Sequence, residues 1–202
     1  DIGLMLQKRY GMLQLEQGSG KTLAAIAMGL YRMGRQGIHS AWVVSSAISI
    51  RNNWDVVLPN YGLSYVFVQK LGDLARIKRG DFVLVTLNTL GTLQRHIKKW
   101  VKRHSQNIML ALDESDEISN PYSKRAKAAL SCFRRCRMKL LTTGTSTRNN
   151  ISEFAPQLEL LYNNSINMIT WCWKVYSYDS DSGRMTDDDN RYYGSPIPAY
   201  KR

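Results

Sequence analysis

Two clusters in this chain have residue types and spacing suited to a phosphate chain and an activated water. The first is the stretch 15–22, which reads L-E-Q-G-S-G-K-T. Gly18 and Gly20 let the backbone turn without a Cβ, so its N–H groups can point inward at phosphate oxygens. A helix opening at Lys21 adds partial positive charge at the same place. Lys21 can then reach β- and γ-phosphates, and the Thr22 hydroxyl can ligate Mg²⁺. Glu16, Gln17 and Ser19 complete the loop. One position departs from G-x-x-x-x-G-K-[ST], because Leu15 stands where the first glycine is expected. The loop alone implies a nucleoside triphosphate and says nothing of how its energy is used.

The second cluster is Asp113-Glu114, directly after the apolar run I-M-L-A-L at 108–112. An acidic residue at the carboxyl end of a buried strand lies where a parallel sheet places its ligands. There Asp113 can hold the Mg²⁺ that Thr22 also touches, and Glu114 can polarise an attacking water. The pair reads as a hydrolysis signature more than a binding one.

These residues need a strand before each cluster and a helix after the first. The run 12–15 supplies the first strand, and a helical pattern spans 21–33, with Leu23, Ile26, Ala27, Leu30 and Tyr31 on one face and Gly34 as its stop. Further strands are expected at 41–45, 64–68, 82–85, 107–112 and 138–141. Ser46 should cap a helix that buries Ile50, Trp54, Val57 and Leu58 and ends at Pro59. A helix over 89–103 should bury Leu93, Ile97, Trp100 and Val101 and expose Arg95, Lys98, Lys99, Lys102 and Arg103. Asn120 and Pro121 should open another, with Tyr122, Ala126, Ala129, Leu130 and Phe133 inward. A polar turn is expected at 142–147, then a helix capped by Asn150 and Glu153 that buries Phe154, Leu158 and Leu161. Alternating strands and helices argue for an α/β fold with a mostly parallel sheet covered on both faces.

With 202 residues and 44% hydrophobic content the chain can bury one sizeable core, and no apolar run is long enough to cross a bilayer. A first residue of Asp rather than Met reads as a piece of something longer. The net charge of +12 is unevenly spread. No acid falls between Ile118 and Ser152, yet Lys124, Arg125, Lys127, Arg134, Arg135, Arg137, Lys139 and Arg148 do. Such an imbalance favours a polyanionic partner. Cys132, Cys136 and Cys172 lack the spacing of a zinc site, and the first two read as reduced packing residues of an intracellular protein. From about 177 onward the composition turns acidic and turn-rich, which suggests an exposed insertion or linker.

Five stretches in order resemble the first RecA-like lobe of superfamily-two helicase-related ATPases, and most of all the Swi/Snf-type DNA translocases. E-Q-G-S-G-K-T at 16–22 resembles that family's E-M-G-L-G-K-T. V-V-S-S-A-I-S-I-R-N-N-W at 43–54 resembles motif Ia, and L-V-T-L-N-T-L at 84–90 resembles motif Ib. L-D-E-S-D-E-I-S-N at 112–120 stands where the family has D-E-A-H. L-L-T-T-G-T-S-T-R-N-N-I-S-E-F at 140–154 resembles motif III, L-T-G-T-P-x-Q-N-N-x-x-E-[LF]. The chain departs from these patterns at Ser46 and Ser146, where the family has proline, at Arg148, where Gln is common, and at Asp116, where it has His. The last change reverses both charge and hydrogen-bond role, which bears on how the nucleotide site is wired to motif III.

The resemblance implies a RecA-like P-loop NTPase lobe over residues 1–163, with 164–202 as an insertion or linker segment. It implies ATP and Mg²⁺ as cofactors, bound in a cleft between this lobe and a second RecA-like lobe of the same polypeptide. That second lobe supplies arginine fingers and is absent from these 202 residues, so hydrolysis by them alone should be negligible. The implied partner is DNA, duplex ahead of single strand, with RNA left open and no membrane. Ser46 and Thr86 would contact phosphates of one strand, with Arg51, Arg95, Lys98 and Lys99 as further candidates on that track. Gly144 and Thr145, with Arg148, would form the motif that couples nucleotide state to the DNA side. The place of action would be cytoplasm or nucleoid in a phage or bacterium and the nucleus in a eukaryote. Two other readings stand beside the motor: a P-loop kinase acting on a small molecule, and a non-hydrolysing scaffold that binds nucleic acid through its basic surface.

Overall fold

Short apolar runs bounded by turns pair into one parallel sheet, and their burial on both faces follows from helices covering each side. The computed structural model describes residues 2–16, 18–120, 122–144, 154–162, 177–179 and 184–186. The strands are β1 (Tyr10–Gln14), β2 (Ala41–Ser45), β3 (Tyr65–Val68), β4 (Phe82–Thr86), β5 (Met109–Asp113) and β6 (Met138–Thr143). They lie in the order β1-β6-β5-β2-β4-β3, all parallel. Every residue of β2, β5 and β6 is buried.

Side chains alternate between two cores, as the two-residue period of a strand requires. Val43, Phe82, Leu84, Met109 and Leu140 face α2 (Lys21–Gln36) and the helical segment after β2. That segment comprises α3 (Ala47–Ser49), a π turn (Ile50–Trp54) and α4 (Asp55–Asn60). Trp42, Val44, Val83, Val85, Leu110 and Leu141 face the other layer. It holds α5 (Leu87–Thr92), α6 (Gln94–Arg103), α7 (Lys124–Phe133) and α8 (Ala155–Leu161). A short α1 (Ile2–Gln7) precedes β1, and 3-10 turns occupy Leu71–Arg76 and Ser115–Ile118. Ser177–Asp179 pairs antiparallel with Arg184–Thr186.

Several local expectations are corrected. α2 runs through Gly34 to Gln36, capped by Gly37. Its inward face is Ala24, Ala25, Ile26, Met28 and Gly29, while Leu23, Leu30 and Tyr31 are exposed. The helix sits too close to the sheet for large side chains: a Cβ on Gly29 would lie 2.9 Å from the Phe82 ring. The helix expected over 89–103 is two helices, starting at Leu87 and broken at Leu93. α7 begins at Lys124, because the Ser123 side chain accepts from the Ala126 N–H and so provides the cap. Asn120 instead accepts from the Tyr122 N–H in a turn, and Tyr122 is exposed rather than inward. α4 continues past Pro59 to Asn60. Thr142 and Thr143 close β6 and are buried, so they belong to the strand and not to the expected turn, of which residues 145–147 lie outside the described residues. Phe154 and Leu158 are half-buried, and Pro156, Gln157, Glu159, Leu160 and Leu161 carry the burial of α8. Pro121, the Asn150 and Glu153 cap and Cys172 lie outside the described residues.

Candidate nucleotide site

The parallel arrangement brings the carboxyl ends of β1, β2, β4, β5 and β6 to one sheet edge. Gln14 pairs in register with Thr143, and Thr142 with Asp113. β6 therefore stands between the glycine loop and the acidic pair, which are two strand spacings apart, roughly 10 Å. Leu15 N donates to Thr143 O at 3.1 Å and fixes the loop to β6.

The loop turns on Gly18 and Gly20, whose φ values of 79° and 85° place both in the left-handed region. Gly20 is the N-cap of α2. Leu15 is not among the described residues with positive φ, which explains why this position does without the expected glycine. Lys21 Nζ donates to Leu15 O at 2.7 Å and to Glu16 O at 2.6 Å, so the ammonium is aimed across the loop. Ser19 turns its hydroxyl to the Glu16 carbonyl.

Opposite the loop, Asp113 is buried and fixed on both oxygens. Oδ1 accepts from Thr142 Oγ1 at 2.7 Å and from Glu114 N at 3.1 Å. Oδ2 accepts from Ser49 Oγ and Trp54 Nε1, each at 3.0 Å. Glu114 has φ 55°, an uncommon conformation for a non-glycine residue and one that clusters at functional sites. Burial pushes its carboxyl above the ordinary value, and the charges of Asp113, Glu117 and Asp116 add to this. A side-chain hydrogen bond with Ser46 acts the other way. Asp116, the residue in place of the family histidine, accepts from Thr143 Oγ1 at 3.0 Å. A link between the acidic turn and the end of β6 is thus made with a hydroxyl and a carboxylate.

Glu16, Gly18, Gly20, Lys21 and Thr22 line one wall of a cleft of about 1110 Å³. Asp113, Glu114 and Gly144 line it from the strand ends, and Ser46, Ser49, Asn52 and Asn53 from the segment after β2. The structure therefore brings together the loop lysine and threonine, the acidic pair and Gly144. Ser46, expected on the nucleic-acid track, stands in this same cleft, where its hydroxyl accepts from Ser49 N at 3.1 Å and caps α3. Thr86 caps α5 at the end of β4, beside Ser45 in register. Arg51 is exposed on the π turn. Arg95, Lys98 and Lys99 are exposed on α6, away from the cleft. Gln17, Thr145 and Arg148 lie outside the described residues. Sequence reasoning missed Ser49 and Trp54 as partners of Asp113; the sequence presents Trp54 as a core residue and as part of the motif Ia resemblance, and nothing in its spacing reveals the use of its N–H.

Fold and site together define a RecA-like α/β lobe with a nucleotide-type cleft at its carboxyl edge. The sequence profile of the SNF2-related domain matches residues 4–188, and the chain belongs to that family. It is 29% identical over 189 residues to the chromatin-remodeling ATPase INO80 of Arabidopsis thaliana, covering 86% of this chain and 12% of that protein. It is 31% identical over 168 residues to INO80 of Aspergillus terreus, covering 75% and 10%. With the helicase swr1 of Emericella nidulans the identity is 29% over 160 residues, covering 75% and 9%. The chain thus spans only about a tenth of the curated relatives it matches. Its fold is that of the Sulfolobus solfataricus SWI2/SNF2 ATPase core, solved in complex with dsDNA. The TM-score is 0.67 at 21% identity, covering 84% of this chain and 36% of that one.

Proposed function

We propose that this chain is the ATP-binding lobe of a motor that couples ATP hydrolysis to movement on duplex DNA. The observation that carries the reading is the shared cleft, in which Lys21 and Thr22 face Asp113 and Glu114. In the proposed mechanism the N–H groups of the loop and Lys21 bind the triphosphate, the ammonium exchanging the Leu15 and Glu16 carbonyls for phosphate oxygens. Glu114 orients the attacking water and takes its proton.

The hard oxygen donors Thr22 and Asp113 suit Mg²⁺, which when bound would neutralise charge on the β- and γ-phosphates. Asp113 accepts four hydrogen bonds, which would hold its carboxylate in place toward the ion. Asp116 and Thr143 would carry the nucleotide state to Gly144 and the segment beyond it.

Residues 1–163 would form this lobe and 164–202 an insertion, with the second lobe and its arginine fingers supplied elsewhere in a longer polypeptide. The relatives' length and the SWI2/SNF2 core solved with dsDNA support a two-lobed DNA motor. Thr86, Arg51 and the basic face of α6 are the proposed contacts to phosphate, which would be salt-sensitive and independent of sequence. A eukaryotic source would place the protein in the nucleus. The test is ATP turnover by the full-length protein with and without duplex DNA. DNA should raise turnover, and Lys21→Ala should abolish it; a Lys21→Ala protein with wild-type turnover overturns the reading.

A further inference from the structure

Two of the four donors on Asp113 come from one short stretch, the segment that follows β2. Ser49 Oγ and Trp54 Nε1 both reach Oδ2 at 3.0 Å, and both side chains are buried. In a regular α-helix, residues five apart point roughly 140° away from each other. Ser49 and Trp54 could not then serve one oxygen. The backbone between them is instead a π turn over Ile50–Trp54. Its hydrogen bonds close over five residues rather than four, which brings positions five apart to nearly the same face. The turn that breaks helical regularity is therefore the turn that delivers both donors. Arg51 lies exposed on that turn, while Asn52 and Asn53 line the cleft, so Trp54 anchors its buried side.

We propose that Trp54, with Ser49, is a positioning residue for Asp113, and that the π turn exists to place the indole N–H on the carboxylate. The inference rests on the reading of Asp113 as part of a magnesium-nucleotide site. The indole N–H is the second donor on Oδ2 and, with the three others, holds the plane of the carboxylate at the cleft. With that bond removed, Oδ2 keeps only Ser49 while Oδ1 keeps Thr142 and the Glu114 N–H, so the carboxylate is held less tightly at the cleft.

The test replaces the Trp54 indole in the full-length protein by benzothiophene, which keeps the ring shape and removes only the N–H. Trp54→Phe serves as a second variant. Hydrogen bonds to charged groups are among the stronger ones, so DNA-stimulated kcat should fall about tenfold in both variants. The Mg²⁺ concentration needed for tight binding of a fluorescent ATP analogue should rise several-fold, with affinity in EDTA unchanged. The benzothiophene variant, which keeps the packing, should lose less melting temperature than Trp54→Phe while losing as much kcat, a pattern that a purely structural tryptophan would not give. Unchanged kcat and Mg²⁺ dependence in the benzothiophene variant, with Asp113→Asn inactive, would overturn the positioning role alone. Full activity of Asp113→Asn would overturn the nucleotide-site reading and this inference with it.

Discussion

Glu114 shows how a single residue is prepared by its surroundings. Its φ is left-handed; burial and the three acids near it, against a Ser46 hydrogen bond, make its carboxyl hold a proton more tightly than a free glutamate. A base must be ionised to accept a proton from water, and a raised pKa strengthens it for that work. The sign follows: turnover should fall as pH drops, with its midpoint above the ordinary glutamate range, and kcat against pH measures it. Glu114→Gln should lower kcat by about 10²–10⁴ while nucleotide binding persists. That Glu114 would share a cleft with Lys21, Thr22 and Asp113 was legible from the sequence, because loop glycines before a helix and an acidic pair after an apolar run both fall at the carboxyl edge of a parallel sheet. The support beneath them was not. Thr142 and Trp54 look like a turn residue and a core residue, and only the tertiary fold puts a hydroxyl and an indole N–H on the same carboxylate.

At the scale of elements, the strands were legible to within about two residues, since parallel strands buried on both faces read as continuous apolar runs. Helix faces were less so. α2 presents alanines and a glycine to the sheet because close approach, not side-chain bulk, decides its inward face. α8 shows another departure, in that it buries Gln157 and Glu159. Gln157 Oε1 accepts from Ser115 Oγ at 2.9 Å, tying this helix to the turn after the acidic pair. Burial pushes the Glu159 carboxyl from 4.5 to about 7, with Arg134 opposing. The folded protein then binds this proton more tightly than the unfolded chain, so the stability Glu159 contributes falls as pH rises between these two values. Glu159→Gln should therefore raise the melting temperature at pH 8, by about 1 kcal/mol of stability, and change it little at pH 4 to 5. Thermal melts at the two pH values check it.

At the scale of the molecule, charge and chemistry are separated. The acidic groups Asp113, Glu114, Asp116 and Glu117 gather at the cleft, while the exposed basic residues Arg95, Lys98, Lys99, Lys102 and Arg103 lie along α6. Among the described residues, the ion pairs of Arg76 with Asp73 and of Arg125 with Glu117 leave that helix untouched. In the proposed motor the nucleotide would lie at one edge and the polyanion on the basic surface, with β6 and the segment after β2 both joined to Asp113.

The central claim is that a lysine from one bend and two carboxylates from a distant strand end act on the same magnesium-bound triphosphate. A crystal structure with Mg²⁺, ADP and beryllium fluoride tests it most directly. The fluoride group should lie within hydrogen-bond reach of Lys21 Nζ, the ion between Thr22 and Asp113, and an ordered water against Glu114. A nucleotide seated away from Lys21, or an ion with neither Thr22 nor Asp113 near it, would contradict the account.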